Sequence, residues 1–180
     1  MKTYTVGQSA LLHACFTSRQ SALVWLPLRL YLGWMWLEAG MGKLTDPAWV
    51  GSSAGAAMTG FAKGAIAKAT GVHPAVEAWY AAFLQNVVIP NAVPWGYLIT
   101  AGEILVGAAL ILGFLVGVSA FFGVFMNFNF LFAGTTSANP RMVLMGLALM
   151  LAWRVAGYYG LDRYALPVVQ KYLGPRHEWS

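Results

Sequence analysis

Charged residues are scarce in this chain: Asp, Glu, Lys and Arg together make up 9% of its 180 residues. A water-soluble domain carries charge on about a quarter of its positions, so there is too little here to cover a water-facing surface. Cysteine is almost missing. With Cys15 as the only thiol, no internal disulfide, iron–sulfur cluster or thiolate zinc site forms within one chain. Histidine is confined to His13, His73 and His177, all outside the long apolar runs. That excludes a haem held by two histidines inside a membrane, and no metal or haem is expected. The first 20 residues hold no apolar leader core, which argues against a cleaved signal peptide.

What the sequence does have is apolar length, at 59% hydrophobic residues. Residues 93–114, 115–133 and 141–160 are nearly free of charge, and each is long enough for a ~30 Å hydrocarbon core, which takes about 20 helical residues. Residues 21–44 have the length as well but include Arg29, Glu38 and Lys43. These four spans and their connections use the whole chain, 1–180, as one domain. The fold class is therefore an all-α membrane protein, a four-transmembrane-helix bundle. The connection over residues 48–92 is too long to be structureless. It carries two helical patterns, one with Ala57, Phe61, Ala65 and Ala69 on a face and one with Val76, Trp79, Tyr80, Phe83 and Val87. Both read as interfacial helices, as does the segment from Asp162 to Leu173. Gly113-Phe-Leu-Val-Gly117 is the turn between the second and third spans. Asn139-Pro140 marks the start of the fourth as N-cap and first helical residue. Ala148, Ala152 and Ala156 form a small-residue stripe for close helix packing.

The formal charge of +5 comes from scattered basic residues beside apolar spans, a membrane pattern and not a nucleic-acid surface. Arg19, Arg163, Lys171 and Arg176 flank the spans on the side of the termini, against Lys43 and Arg141 on the other. This bias places a multi-pass protein in the cell membrane with both termini cytoplasmic.

Arg29, Glu38, Glu103, Asn127, Asn129 and Arg154 lie within the spans. An ionised group at mid-bilayer costs at least ~2.5 kcal/mol, so it normally faces a partner or a wet cavity. At about 100° per residue, Arg29, Gly33, Trp36, Gly40 and Lys43 share one face of the first span, with Glu38 roughly opposite. Taken singly, Asn127, Asn129 and Arg154 read as packing hydrogen bonds. As a set, two arginines and two glutamates are more charge than helix register needs, and they point to a small-ligand site with Glu38 and Glu103 as proton carriers. Glu103 shares its face with Gly96, Thr100 and Gly107, and a static ion pair with Arg154 or Arg29 is the plainer reading of it. Thr135, Thr136, Ser137 and Arg141, with Lys43 at the same interface, form a candidate anion site at the start of the last span.

Several of these residues also form a recognisable series. Arg29 with Gly33, Ala39-Gly40 and Gly42-Lys43-Leu44 resembles the first-helix signature of the DoxX/DoxD membrane proteins. Gly102-Glu103-Ile104-Leu105-Val106-Gly107 and Leu112-Gly113 resemble their second helix. Asn127-Phe-Asn129, Ala133-Gly134-Thr135, Asn139-Pro140, Ala152-Trp153, Ala156-Gly157 and Gly160-Leu161-Asp162-Arg163 resemble the DoxD branch. The resemblance runs from Arg29 to Arg163. It implies a four-helix membrane subunit of thiosulfate:quinone oxidoreductase, which couples two thiosulfates into tetrathionate and passes the electrons to membrane quinone. It further implies quinone as acceptor and a second subunit of DoxA type. Two alternatives stand beside it: a non-catalytic membrane anchor for a redox partner, and a small transporter or channel. The latter is disfavoured by the lack of an inverted repeat or an interrupted mid-span helix.

Overall fold

A computed structural model of the chain describes residues 10–172, and among these every regular element is helical. Helix α1 (Ala10–Thr17) leads through a 3-10 turn into α2 (Ala22–Leu44). A loop and α3 (Ala56–Ala67) follow, then α4 (Ala78–Phe83). From α4 the chain winds through a π turn (Leu84–Val88) and a 3-10 turn (Ile89–Asn91) straight into α5 (Ala92–Leu112). Helices α6 (Val116–Phe132), α7 (Asn139–Leu151), α8 (Trp153–Ala156) and α9 (Asp162–Tyr172) complete it.

The most extensive packing is α2 on α5 and α6 on α7, and glycine makes both contacts possible. A Cβ on Gly107 would lie 2.5 Å from the Leu37 amide nitrogen, and one on Gly40 2.9 Å from that of Ile104. With only hydrogen at these positions the two backbones touch, which is how membrane helices gain packing without a hydrophobic drive between them. Across α6 and α7 the tight residue is Gly146, where a Cβ would meet Val124 at 2.5 Å. Ala152 and Ala156 of the expected alanine stripe are buried, while Ala148 is only half-buried.

Two apolar clusters result. The larger lies among α2, α5, α6, α7 and α8, around Leu32, Trp36, Leu110, Val116 and Leu149. The smaller caps one end of the bundle, where Met58, Ala62 and Ala65 of α3 meet Val76, Tyr80, Leu84 and Val88. The inward face of α3 is thus one residue round from the face expected. In the following segment Val76 and Tyr80 turn in, while Trp79 and Val87 stay exposed.

The helices differ from the expected spans in length. The helix over Ala78–Leu112 runs 35 residues and contains an 18-residue stretch of mean hydropathy 1.7, long and apolar enough to cross a membrane. The sequence reading divided this stretch at residue 93, starting the second span just after Pro90. The structure instead absorbs the proline in π and 3-10 turns, whose altered hydrogen bonding tolerates its missing N–H. Val116–Phe132 and Asn139–Leu151 are apolar but shorter. The last expected span stops at Leu151, because Ala152 leaves the helical geometry (φ −88°, ψ 12°) and the chain restarts as α8. Helix α7 begins at Asn139 itself, whose side chain donates to the Thr135 carbonyl instead of capping. Leu173, Arg176 and His177 lie outside the described residues.

Candidate functional site

Where α2 and α5 touch, they bring two charges together inside the bundle. The inward face of α2 carries Arg29, Gly33, Trp36 and Gly40, all buried, and ends at Lys43. The absence of a side chain on Gly40 lets α5 come close enough for the Lys43 ammonium to reach Glu103. Lys43 Nζ is 2.7 Å from Glu103 Oε2 and 3.0 Å from Oε1, so it donates to both carboxylate oxygens. The Glu103 side chain is 2% exposed and that of Lys43 20%. The ammonium also stands 5.1 Å from the ring centroid of Trp49. The sequence reading sent Lys43 outward to the headgroups and gave Glu103 an arginine as its plainer partner. The structure corrects both: a carboxylate withdrawn from water is the stronger acceptor, and of the two cations on the inward face of α2 it is Lys43 that stands at the level of Glu103.

The polar surroundings continue along α5 and α6. Thr100, one turn before Glu103 and buried, donates to the Gly96 carbonyl at 2.8 Å. The register of α6 against its neighbours is fixed at two places: a Cβ on Gly102 would meet Met126 Sδ at 3.1 Å, and one on Gly123 would meet Trp36 Nε1 at 3.0 Å. Asn127 therefore stands on α6 at the level of Glu103. It is 1% exposed, and neither its amide nitrogen nor its carbonyl oxygen has a partner among the described residues. A buried amide left this way costs about 1–3 kcal/mol, so its persistence is an observation to be explained. Asn129 is satisfied differently: its amide donates to the Phe125 carbonyl at 2.8 Å, and its own carbonyls accept from the Tyr80 hydroxyl.

The other expected site residues lie apart from this pair. Arg29 is buried at the opposite end of α2. Its Nη1 donates to the Ala156 carbonyl and its Nη2 to that of Tyr159, both at 3.0 Å, while Nε has no partner. Gly113 and Gly160 leave the slot that holds the guanidinium. Glu38 is on the outward face of α2 and exposed, and Arg154 is exposed with its guanidinium 5.4 Å from the Trp153 ring. Arg141 is exposed near the start of α7, and Lys43 does not join it because Glu103 holds it inward.

One contributor escaped the sequence reading. Asp162 is 2% exposed and accepts hydrogen bonds from the backbone N–H groups of Leu115 and Val116, the first of α6. Burial pushes its carboxyl up from the usual aspartate range, while those two N–H groups and nearby Arg29 draw it back down. The signal was present: residues 113–117 contain no Ser, Thr, Asn or Asp to cap the helix they start, so a distant acceptor had to.

Among known proteins, the family model DoxD, described as TQO small subunit DoxD, matches residues 25–174. No curated protein and no solved structure matches the chain.

Proposed function

The chain belongs to the DoxD family, and from that premise we propose that it is the membrane subunit of a thiosulfate:quinone oxidoreductase. The overall reaction joins two thiosulfates through a new S–S bond and releases two electrons, which with two protons reduce a quinone to its quinol. The observation that carries the reading is the Lys43–Glu103 pair, its carboxylate buried, at the level of an Asn127 that has no partner among the described residues. A quinone ring presents two carbonyl acceptors, which suit an amide N–H and an ammonium. A carboxyl within reach takes and returns protons. In this arrangement Glu103 holds the proton, Lys43 orients it and balances its charge, and Asn127 donates to a ring oxygen.

The outer surface supports a multi-pass arrangement. Tyr31, Trp34, Leu105, Phe125, Leu144 and Leu151 all stand exposed on α2, α5, α6 and α7, an apolar coat that suits lipid better than water. We take all four helices as spans, with both termini on the cytoplasmic side. The expected assay is quinol formation on addition of thiosulfate to membranes carrying this chain and its partner subunit. Quinol formed at the same rate from membranes lacking this chain would overturn the reading.

A second reading, an anchor for the catalytic partner, rests on Glu38. It is an exposed carboxylate without a partner on a helix face that also exposes Tyr31, Trp34 and Met41. Such a charge in an apolar surface is costly unless another protein covers it. An anchoring role predicts that Glu38→Gln lowers co-purification of the partner subunit while Glu103→Gln leaves turnover unchanged.

A further inference from the structure

At the end of the bundle away from Lys43, three arginines from separate segments open onto one groove. Its volume is about 350 Å³, and Arg19, Arg154, Tyr158, Asp162, Arg163, Leu166 and Pro167 line it. Arg19 comes from the turn before α2, Arg154 from α8 and Arg163 from the first turn of α9. The Tyr158 ring gathers two of them, with the Arg19 guanidinium 5.7 Å from its centroid and that of Arg163 5.8 Å away. Like charges held around one ring repel one another unless an anion lies between them. Among the described residues, the one acid that lines the groove does not supply that anion. Both oxygens of Asp162 are taken by the N–H groups of Leu115 and Val116, and the side chain is buried. Among the described residues the one salt bridge is Lys43–Glu103, so none of the three arginines has a carboxylate partner.

We propose that this groove binds the phosphodiester headgroup of an anionic membrane lipid. Guanidinium groups match phosphate oxygens with paired N–H donors, and basic pockets at helix ends on one face of a membrane are a recurrent way to hold such lipids. A lipid fits the site better than a free anion because the groove lies at the end of the bundle, beside exposed apolar side chains. Trp153, Tyr159 and Tyr164 are exposed around it, the aromatic signature of a membrane boundary. Leu166 and Pro167 line it beside the charges, and Leu144, Leu147 and Leu151, exposed at helical spacing on α7, offer an apolar face for acyl chains. Helix α9, which delivers Arg163, is short and strongly two-faced, as a helix lying along a membrane surface is.

The test uses the full chain purified in neutral detergent. Binding of phosphatidylglycerol, cardiolipin, phosphatidylcholine and inorganic phosphate is followed by native mass spectrometry and by thermal melting. The anionic lipids should bind and raise the melting temperature, whereas phosphatidylcholine and inorganic phosphate at equal phosphate concentration should not. The combined variant R19Q/R154Q/R163Q should bind the anionic lipids about tenfold more weakly or less, with an unchanged melting temperature in phosphatidylcholine. Should the triple variant not fold, the single exposed changes R154Q and R163Q are each expected to weaken binding several-fold. Equal retention of phosphatidylcholine would overturn the proposal, and so would arginine variants that bind anionic lipid as well as the unaltered chain. Inorganic phosphate binding that displaces the lipid at equal concentration would replace the lipid with a free anion and likewise overturn it.

Discussion

Arg29 and Lys43 stand on the same face of α2, about 21 Å apart along the helix at 1.5 Å per residue. Both turn their charge inward, but they are satisfied by opposite kinds of partner. Arg29 donates to two backbone carbonyls, those of Ala156 and Tyr159, which neither titrate nor move independently of the chain. Lys43 donates to the carboxylate of Glu103, which can take a proton and whose partner ammonium is on a flexible stem. The Arg29 end ties α2 to the last turn before α9 and, through Asp162, to the start of α6. It is a brace. The Lys43 end holds a carboxylate that can take a proton and an ammonium that can move, at the level of an amide with no partner among the described residues. The same cost of burying charge is met by a fixed structure in one place and by a site fit for proton chemistry in the other.

The comparison predicts a graded series of effects. Arg29→Met should be the most damaging, because it strands the Ala156 and Tyr159 carbonyls at about 1–3 kcal/mol each. The expected result is a sharp loss of monodisperse protein on size exclusion in detergent, partly restored by Arg29→Lys. A monodisperse Arg29→Met protein with an unshifted melting temperature would remove the brace. Glu103→Gln should assemble, since Lys43 is partly exposed and can turn outward, but its quinone reduction should fall about 100-fold or more with loss of the proton carrier. Normal turnover breaks the contrast from one side, and failure to assemble breaks it from the other by making Glu103 a brace too. Asn127→Leu removes two unsatisfied polar atoms and should leave stability unchanged or raise it by up to about 1 kcal/mol. Its effect should appear as a raised KM for quinone with thiosulfate saturating. Smallest of all is Arg141→Gln, expected to raise the KM for thiosulfate a few-fold with kcat intact, measured at low ionic strength because an exposed charge is screened by salt.

How far these arrangements are visible in the sequence depends on what determines them. The inward face of α2 could be read directly, because Arg29, Gly33, Trp36, Gly40 and Lys43 follow helical periodicity and nothing tertiary alters it. The turn at residues 113–117 was visible too, in its glycines; Gly113 takes the left-handed φ of +66°. The choice of Lys43 as partner for Glu103 was not. Periodicity gives the direction in which a side chain points on its own helix but not the register between two helices 60 residues apart in sequence. That register comes from Gly33, Gly40 and Gly107, whose role appears only when the backbones are seen to touch. The break at Ala152 has no proline or glycine to announce it, so Arg154, read inside the last span, stands exposed on the separate α8. Glu38 was read on the correct face, opposite Lys43, but as a proton carrier of the same site; it stands outside the bundle.

The π turn at Leu84–Val88 sits within the 35-residue helix that joins the cap to Glu103. A π turn holds one more residue than an α turn spanning the same rise, so it sets the rotational phase between the parts of the rod on either side of it. Upstream, Tyr80 is keyed to Asn129 of α6. Downstream, Gly107 and Ile104 are keyed to α2. Deleting one residue at Gln85 or Asn86 would remove that extra residue and restore ordinary helical winding, leaving the contacts between α2 and α5 intact. The winding of this one turn thus sets how the cap faces the level of Glu103.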